Sequence, residues 1–260
     1  MEKLLDEIES YWSTRTEGYS EVNHKELAGT QKNAWLKVLT SQFPDKPKEE
    51  IRILDIGTGP GFFPVILAEA GYHVDAVDYT EGMLEKAKEN AGDLCRNIRF
   101  LRMDAQKLDF EDNTFDVVIS RNLTWNLEHP DVAYREWVRV LKVGGRLLNF
   151  DANWYGYLYE EEQRKAYEND RKNVENNSLD DHYLCTDIER MERIALQVPL
   201  SKIRRPEWDV KTLREAGLLG IRTDTEIWKT VWSEEERLNY QSTPMFMVTG
   251  VKPDHFLNLP

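Results

Sequence analysis

Cysteine is almost missing from this chain. Cys95 and Cys185 are the only two among 260 residues, and ninety positions separate them. They form neither a metal-ligand spacing nor a disulfide framework, so a reducing, cytoplasmic setting is expected. No run of about 18 apolar residues exists, which excludes a membrane-spanning helix on sequence grounds. The first ten residues, MEKLLDEIES, are charged throughout and lack the apolar core of a secretion signal. Basic charge is also short, with 34 Lys and Arg against 47 Asp and Glu, a net charge of -13. Nucleic acid is therefore disfavoured as the main partner, because phosphate binding needs a basic face. Apolar material is ample: 40% hydrophobic residues, 11% aromatic, and eight Trp. That composition suits one large domain, or one domain with an inserted subdomain, and an aromatic-rich pocket or cap.

The chain is organised around residues 51–78, IRILDIGTGPGFFPVILAEAGYHVDAVD. Ile51, Ile53, Leu54 and Ile56 make a short apolar run that stops at Gly57-Thr58-Gly59-Pro60-Gly61. A second apolar run of helical length follows, then Val74–Val77 reads as a strand ending at Asp78. Strand, glycine turn, helix and strand make one βαβ unit. Glycines let a ligand approach the main chain, and the helix start offers unpaired N–H groups. Asp78, seventeen residues past Gly61, is placed to accept bonds from the two ribose hydroxyls of a nucleoside.

The dinucleotide pattern G-x-G-x-x-G is not met, because position 62 is Phe. Asp55, two residues before the first glycine, would repel a pyrophosphate and would suit a cofactor carrying an ammonium group. Acid-x-G-x-G-x-G followed by a strand-end acid resembles the class I S-adenosylmethionine-dependent methyltransferases, small-molecule type. The resemblance runs from about residue 51 to 150. It implies a Rossmann-like, doubly wound α/β fold with a seven-stranded sheet whose last strand is antiparallel. It also implies S-adenosyl-L-methionine as cofactor and S-adenosyl-L-homocysteine as product. The cofactor site it implies takes in Asp55, Gly57, Thr58, Gly59, Gly61 and Asp78, with Tyr79 and Met83 beside adenine. Asp104 and the adjacent Ala105, ending the third strand (residues 98–103), would read the adenine edge. Tyr19 would lie over the cofactor and Arg15 would meet its carboxylate. Trp12 and Tyr19 could instead simply pack N-terminal helices onto the core.

The expected organisation is an N-terminal helical lid over 1–50, a cofactor core over 51–150, an inserted cap over 151–205 and a C-terminal part of the sheet over 206–260. Within the lid, residues 2–12 and 21–43 read as two helices. Residues 131–141 read as a helix stopped by Gly144-Gly145, and 146–150 as the fifth strand. Residues 221–228 and 245–251 read as the last two strands.

The fourth strand ends at Ser120-Arg121-Asn122, where ligands of parallel sheets bind. Arg121 and Asn122 therefore face the reacting group. Asn122 can hydrogen-bond there, while Arg121 would hold either an acidic substrate group or an internal carboxylate. His129 and His24 are candidate bases, each with a plain surface reading beside it. Trp125, Trp154, Tyr155 and Tyr157 are candidate walls of a substrate pocket; equally, they could pack the cap onto the sheet. No metal-ligand pattern is present. The function expected is methyl transfer to an O or N atom of a small metabolite, by a monomer or homodimer. The alternatives are a protein or RNA methyltransferase, with charge and cap arguing against RNA, and a cofactor-binding sensor without turnover.

Overall fold

A computed structural model describes residues 3–183 and 186–254; Cys185 lies outside the described residues. Seven strands form a single sheet: β1 (Arg52–Ile56), β2 (His73–Asp78), β3 (Ile98–Arg102), β4 (Phe115–Arg121), β5 (Leu141–Asp151), β6 (Leu219–Asp224) and β7 (Phe246–Val251). Their order is β3-β2-β1-β4-β5-β7-β6. β7 runs antiparallel to both β5 and β6, and the remaining pairs are parallel. This is the Rossmann-like doubly wound sheet expected from the sequence.

The central strands bury both faces, and alternate residues divide between them. Ile53, Val117, Ile119 and Leu148 pack with Trp35 and Leu39 of α2 (Gln31–Ser41) and with Phe62, Phe63 and Ile66 of α3 (Phe62–Glu69). Leu54, Val118, Leu147 and Val248 face the other way. They meet Tyr134 and Trp137 of α5 (Pro130–Val140) and Leu213 of α8 (Glu207–Glu215). Such two-sided burial explains why these strands read as continuous apolar runs. The chain leaves β1 toward β2 on one side and later returns through β4 on the other, which opens a crevice above the carboxyl ends of β1 and β4.

The N-terminal region departs from expectation. Instead of two helices separated by a linker, α1 runs unbroken over Leu4–Ala28, and the break falls at Gly29-Thr30 before α2. The Thr14 and Thr16 hydroxyls bond back to carbonyls three residues earlier, which keeps these residues inside the helix. The fifth strand also begins earlier. The chain turns extended at Leu141 directly after α5, and Gly144, at φ 75°, serves a register shift between β4 and β5 and not a helix stop. The sixth strand ends at Asp224, since Trp228 starts the short helix α9 (Trp228–Val231).

After β5 come α6 (Glu161–Asn176) and α7 (Ile188–Ala195), and α10 (Glu234–Asn239) precedes β7. α4 (Glu81–Ala91) follows β2. A separate apolar cluster joins Ile8 and Tyr11 of α1 to Trp125, Tyr155, Tyr157, Tyr183, Met191 and Ile194. Among the described residues no helix is long and apolar enough to cross a membrane.

Candidate active site

The turn after β1 is shaped by its glycines. Gly57 has φ 69°, and a Cβ there would lie 2.7 Å from Leu123 Cδ2. Gly61, at φ 91°, lets α3 approach α4, since its Cβ would stand 3.0 Å from that of Ala87. Larger residues would be strained at both positions and would push neighbours away. Asp78 then locks the turn: Oδ2 accepts from Gly59 N at 2.8 Å and Oδ1 from Thr80 N at 2.9 Å. Each oxygen keeps a lone pair for another donor.

A cleft of about 850 Å³, its open mouth included, lies against this turn. Gly57, Gly59, Asp78, Tyr79, Met83, Asp104, Ala105, Arg121 and Asn122 line it from the sheet side, with Tyr19 and Trp12 from α1. Arg102 lies over the Tyr79 ring, 5.1 Å from its centroid. Asp104 Oδ1 accepts from the backbone N–H of Gln106 at 2.8 Å and from its side-chain amide at 3.1 Å, so the carboxylate is oriented at the wall of the cleft. These groups fit an adenosine: a carboxylate for two hydroxyls, apolar Met83 and Ala105 for a flat ring, and a second carboxylate for an amino edge.

Asp55 is buried behind the turn, in a small recess shared with Tyr19, Asn23, Thr58 and Arg121. Burial pushes its carboxyl up to about 7, with Thr58 and the Arg121 charge pulling it down. In the unfolded chain it titrates near 3.8. The folded state therefore holds a proton that the unfolded state has released, and stability is lost as pH rises through about 7. Asp55→Asn should raise the melting temperature of the ligand-free protein at pH 8, and the gap should narrow at pH 5. Thermal melts at the two pH values check this; an equal gap at both refutes it.

The end of β4 resolves the two roles open for Arg121. Its guanidinium makes a bidentate pair with Glu26 of α1, at 2.7 and 3.0 Å. It also lies 4.7 Å from the Phe62 ring centroid and 5.1 Å from that of Phe63. The partner is thus an internal carboxylate, which ties α1 to the sheet. Asn122 has φ 56°, unusual for a residue other than glycine, and its buried Oδ1 has no partner among the described residues.

Arg121 and Asn122 stand where the first cleft meets a second, of about 950 Å³ with its open side. Trp125, Trp154 and Tyr155 line the second cleft, together with Tyr183, Trp232 and Tyr240. Trp125 and Tyr155 lie with ring centroids 5.0 Å apart, and the Trp125 indole donates to Asn122 O at 3.1 Å. Arg15 lines this second cleft and not the first, while Tyr19 borders both.

Three expected site residues are not gathered here. Tyr157 stacks on Tyr167 at 4.1 Å and donates to Glu192, so it packs the cap. His24 is exposed and bonds Asn90 at 2.6 Å. His129 is exposed beside Glu128, outside both clefts. The sequence reading missed Glu26 and Glu236, which line the second cleft. The buried polar stripe Thr16, Ser20, Asn23 on α1 was the available signal for Glu26. It also missed a buried ionic network. Arg205 donates to Asp151 Oδ2 at 2.6 Å and to both oxygens of Asp209 at 2.6 and 2.9 Å. Asp151 in turn accepts from the backbone N–H of Trp125 at 2.9 Å and from the Trp154 indole at 3.1 Å.

A nucleoside cleft with a strand-end carboxylate, opening into an aromatic cleft for a second reactant, defines an α/β protein of the nucleoside-cofactor class. Residues 54–149 match the family model described as a methyltransferase domain. The demethylmenaquinone methyltransferase of Clavibacter sepedonicus is 41% identical over 98 residues, covering 37% of this chain and 39% of that one. That of Renibacterium salmoninarum is 31% identical over 148 residues, 57% of this chain and 60% of the relative. The chain thus spans between 39% and 60% of the length of these two relatives. Among solved structures, Haemonchus contortus phosphoethanolamine N-methyltransferase 2 with S-adenosylhomocysteine shares the fold at TM-score 0.64 and 19% identity, covering 98% of this chain and 61% of that one. The [4+2]-cyclase SpnF shares it at 0.54 and 18%, covering 85% and 81%. The likeness to methyltransferases thus rests on residues 54–149 for the sequence, and on the shared fold for the rest of the chain.

Proposed function

We propose that this protein transfers a methyl group from S-adenosylmethionine to an O or N atom of a small metabolite. The observation that carries the reading is Asp78, fixed by two backbone N–H groups at the wall of a cleft that continues into a second, aromatic one. S-adenosylmethionine supplies a methyl carbon already activated by its sulfonium. The chain's own work is then to bind, align and exclude water. Asp78 holds the ribose, Asp104 and Ala105 meet the adenine edge, and Met83 covers the ring. Tyr19 covers the cofactor, and Arg15, which makes no ion pair among the described residues, takes its carboxylate. Asn122 Oδ1, at the junction, offers an acceptor to the incoming nucleophile. His24 and His129 lie too far to the outside to serve as the base.

A second reading is transfer to carbon. It is favoured by the name of one relative, the ubiquinone/menaquinone biosynthesis C-methyltransferase of Pseudomonas putida, 41% identical over 103 residues, 37% of this chain and 40% of that one. The matched family model, however, ends at residue 149, before most of the rings of the second cleft. The relatives' names therefore bear more on the cofactor half than on the acceptor.

Calorimetric titration with S-adenosylmethionine, S-adenosylhomocysteine and NAD tests the reading. Binding of the first two and none of NAD is the expected result. Binding of NAD alone, or of none of the three, overturns it.

A further inference from the structure

We infer that the second cleft takes an organic cation: an amine on an apolar or aryl body, seated among Trp125, Tyr155, Trp154 and Tyr240, with its nitrogen against Glu236. The inference rests on the methyl-transfer reading above, and narrows its acceptor to nitrogen.

The rings form a corner and not a stack. Trp154 meets Tyr240 at 5.2 Å and 81°, Trp232 meets Tyr240 at 5.6 Å and 53°, and Tyr183 meets Tyr240 at 5.9 Å and 70°. Trp125 and Tyr155 line the same cleft, so a guest meets several π-systems. Ring faces carry negative potential and attract cations, ammonium groups included.

The fixed charges point the same way. Glu26 and Arg121 neutralise one another. Glu236 Oε2 accepts from Gln31 Nε2 and from Ser233 N, each at 2.7 Å. Its Oε1 accepts from none of the described residues, and the side chain lines the cleft. Burial pushes this carboxyl above its ordinary range and the neighbouring Glu26 adds to the rise, while the Ser233 N–H, the Arg121 charge and Gln31 oppose it. Arg15 also lines this cleft, beside Tyr11 and Tyr19 on the α1 side, and the methyl-transfer reading assigns it to the cofactor carboxylate. Among the described residues no lysine lines the cleft. With Arg15 held by the cofactor and Arg121 by Glu26, a phosphate or carboxylate guest would meet Glu236 instead of a cation. His182 is already engaged, its ring nitrogens lying 2.9 Å from Tyr240 Oη and 3.1 Å from Glu235 Oε1.

Glu236 also closes the capping box of α10 with Ser233. Glutamine serves at that position as well as glutamate, so Glu236→Gln keeps the cap and removes only the charge. The probes are phenethylamine, phenethyl alcohol and phenylacetate, which share one aryl body and differ in charge. Each is titrated calorimetrically into the full-length protein, with and without saturating S-adenosylhomocysteine. The amine should bind tightest, and Glu236→Gln should weaken it about tenfold while leaving the alcohol within about twofold. The inference is overturned if the alcohol or the acid matches the amine, if Glu236→Gln leaves the amine unaffected, or if no probe binds. The order of the three probes on the unaltered protein decides the matter even where the variant does not fold. Failure of S-adenosylhomocysteine to bind, with the amine preference intact in its absence, would instead sink the methyl-transfer reading alone.

Discussion

Asp78→Ala should weaken S-adenosylhomocysteine binding by about 100-fold. Two hydroxyl donors lose a charged acceptor, and hydrogen bonds to charged groups contribute about 1.5–3 kcal/mol each, where 1.4 kcal/mol is tenfold. The substitution also frees the N–H groups of Gly59 and Thr80, so the turn itself loosens. Burial raises the Asp78 carboxyl above its ordinary range, and those same N–H groups hold it down. Asp78→Asn separates the two effects, because it keeps an acceptor but loses the charge, and its loss should be intermediate. Calorimetry on all three proteins, with melting curves to show that they are folded, checks this. Affinity within about threefold for the alanine variant would mean that the ribose lies elsewhere.

Arg205→Met should cost about 3–5 kcal/mol of folding stability, a large share of the 5–15 kcal/mol typical of a domain. The Arg205 side chain and both of its carboxylate partners are fully buried. Removing the guanidinium leaves Asp151 and Asp209 facing each other's charge, with only neutral donors remaining. Tyr134, Ala152, Trp125 and Trp154 provide those donors. Burial already pushes the Asp151 carboxyl up, and Arg205 is the chief opposing influence. In the variant it should protonate more readily, so the deficit should shrink as pH falls. Urea unfolding at pH 8 and pH 5 reads both effects. A loss below about 1 kcal/mol at pH 8 would show that the site is wetter than its geometry implies.

The two predictions differ in how far sequence reveals them. Asp78 is legible because its function is local: a glycine turn, a helix and a strand end fix its place within one βαβ unit. The sheet is legible for a similar reason, since two-sided burial writes each strand as an apolar run. Arg205 is not legible. Its partners lie four and fifty-four residues away, and only the folded chain brings the three together. The continuity of α1 was hidden by residues that ordinarily signal breaks. Ser13, Thr14, Thr16 and Gly18 suggest a linker, yet back-bonded hydroxyls and a row of buried contacts carry the helix through. Arg121 showed its unusual position but not its partner, because Glu26 reaches it from an element 95 residues earlier.

The Asp151 carboxylate holds two walls of the aromatic cleft at once, by the main chain of Trp125 and the indole of Trp154. Those walls therefore share a gauge: their separation is set underneath, by a charged joint that neither ring touches with its face. Exchanging side chains such as Tyr183 or Tyr240 changes the lining at positions that make no hydrogen bond to that joint. Libraries that vary these rings should yield many folded members with altered preference. Libraries that include Asp151, Arg205 or Asp209 should yield mostly unfolded chains. Tolerated change is thus channelled onto the lining of the cleft, while the spacing of its walls stays nearly frozen.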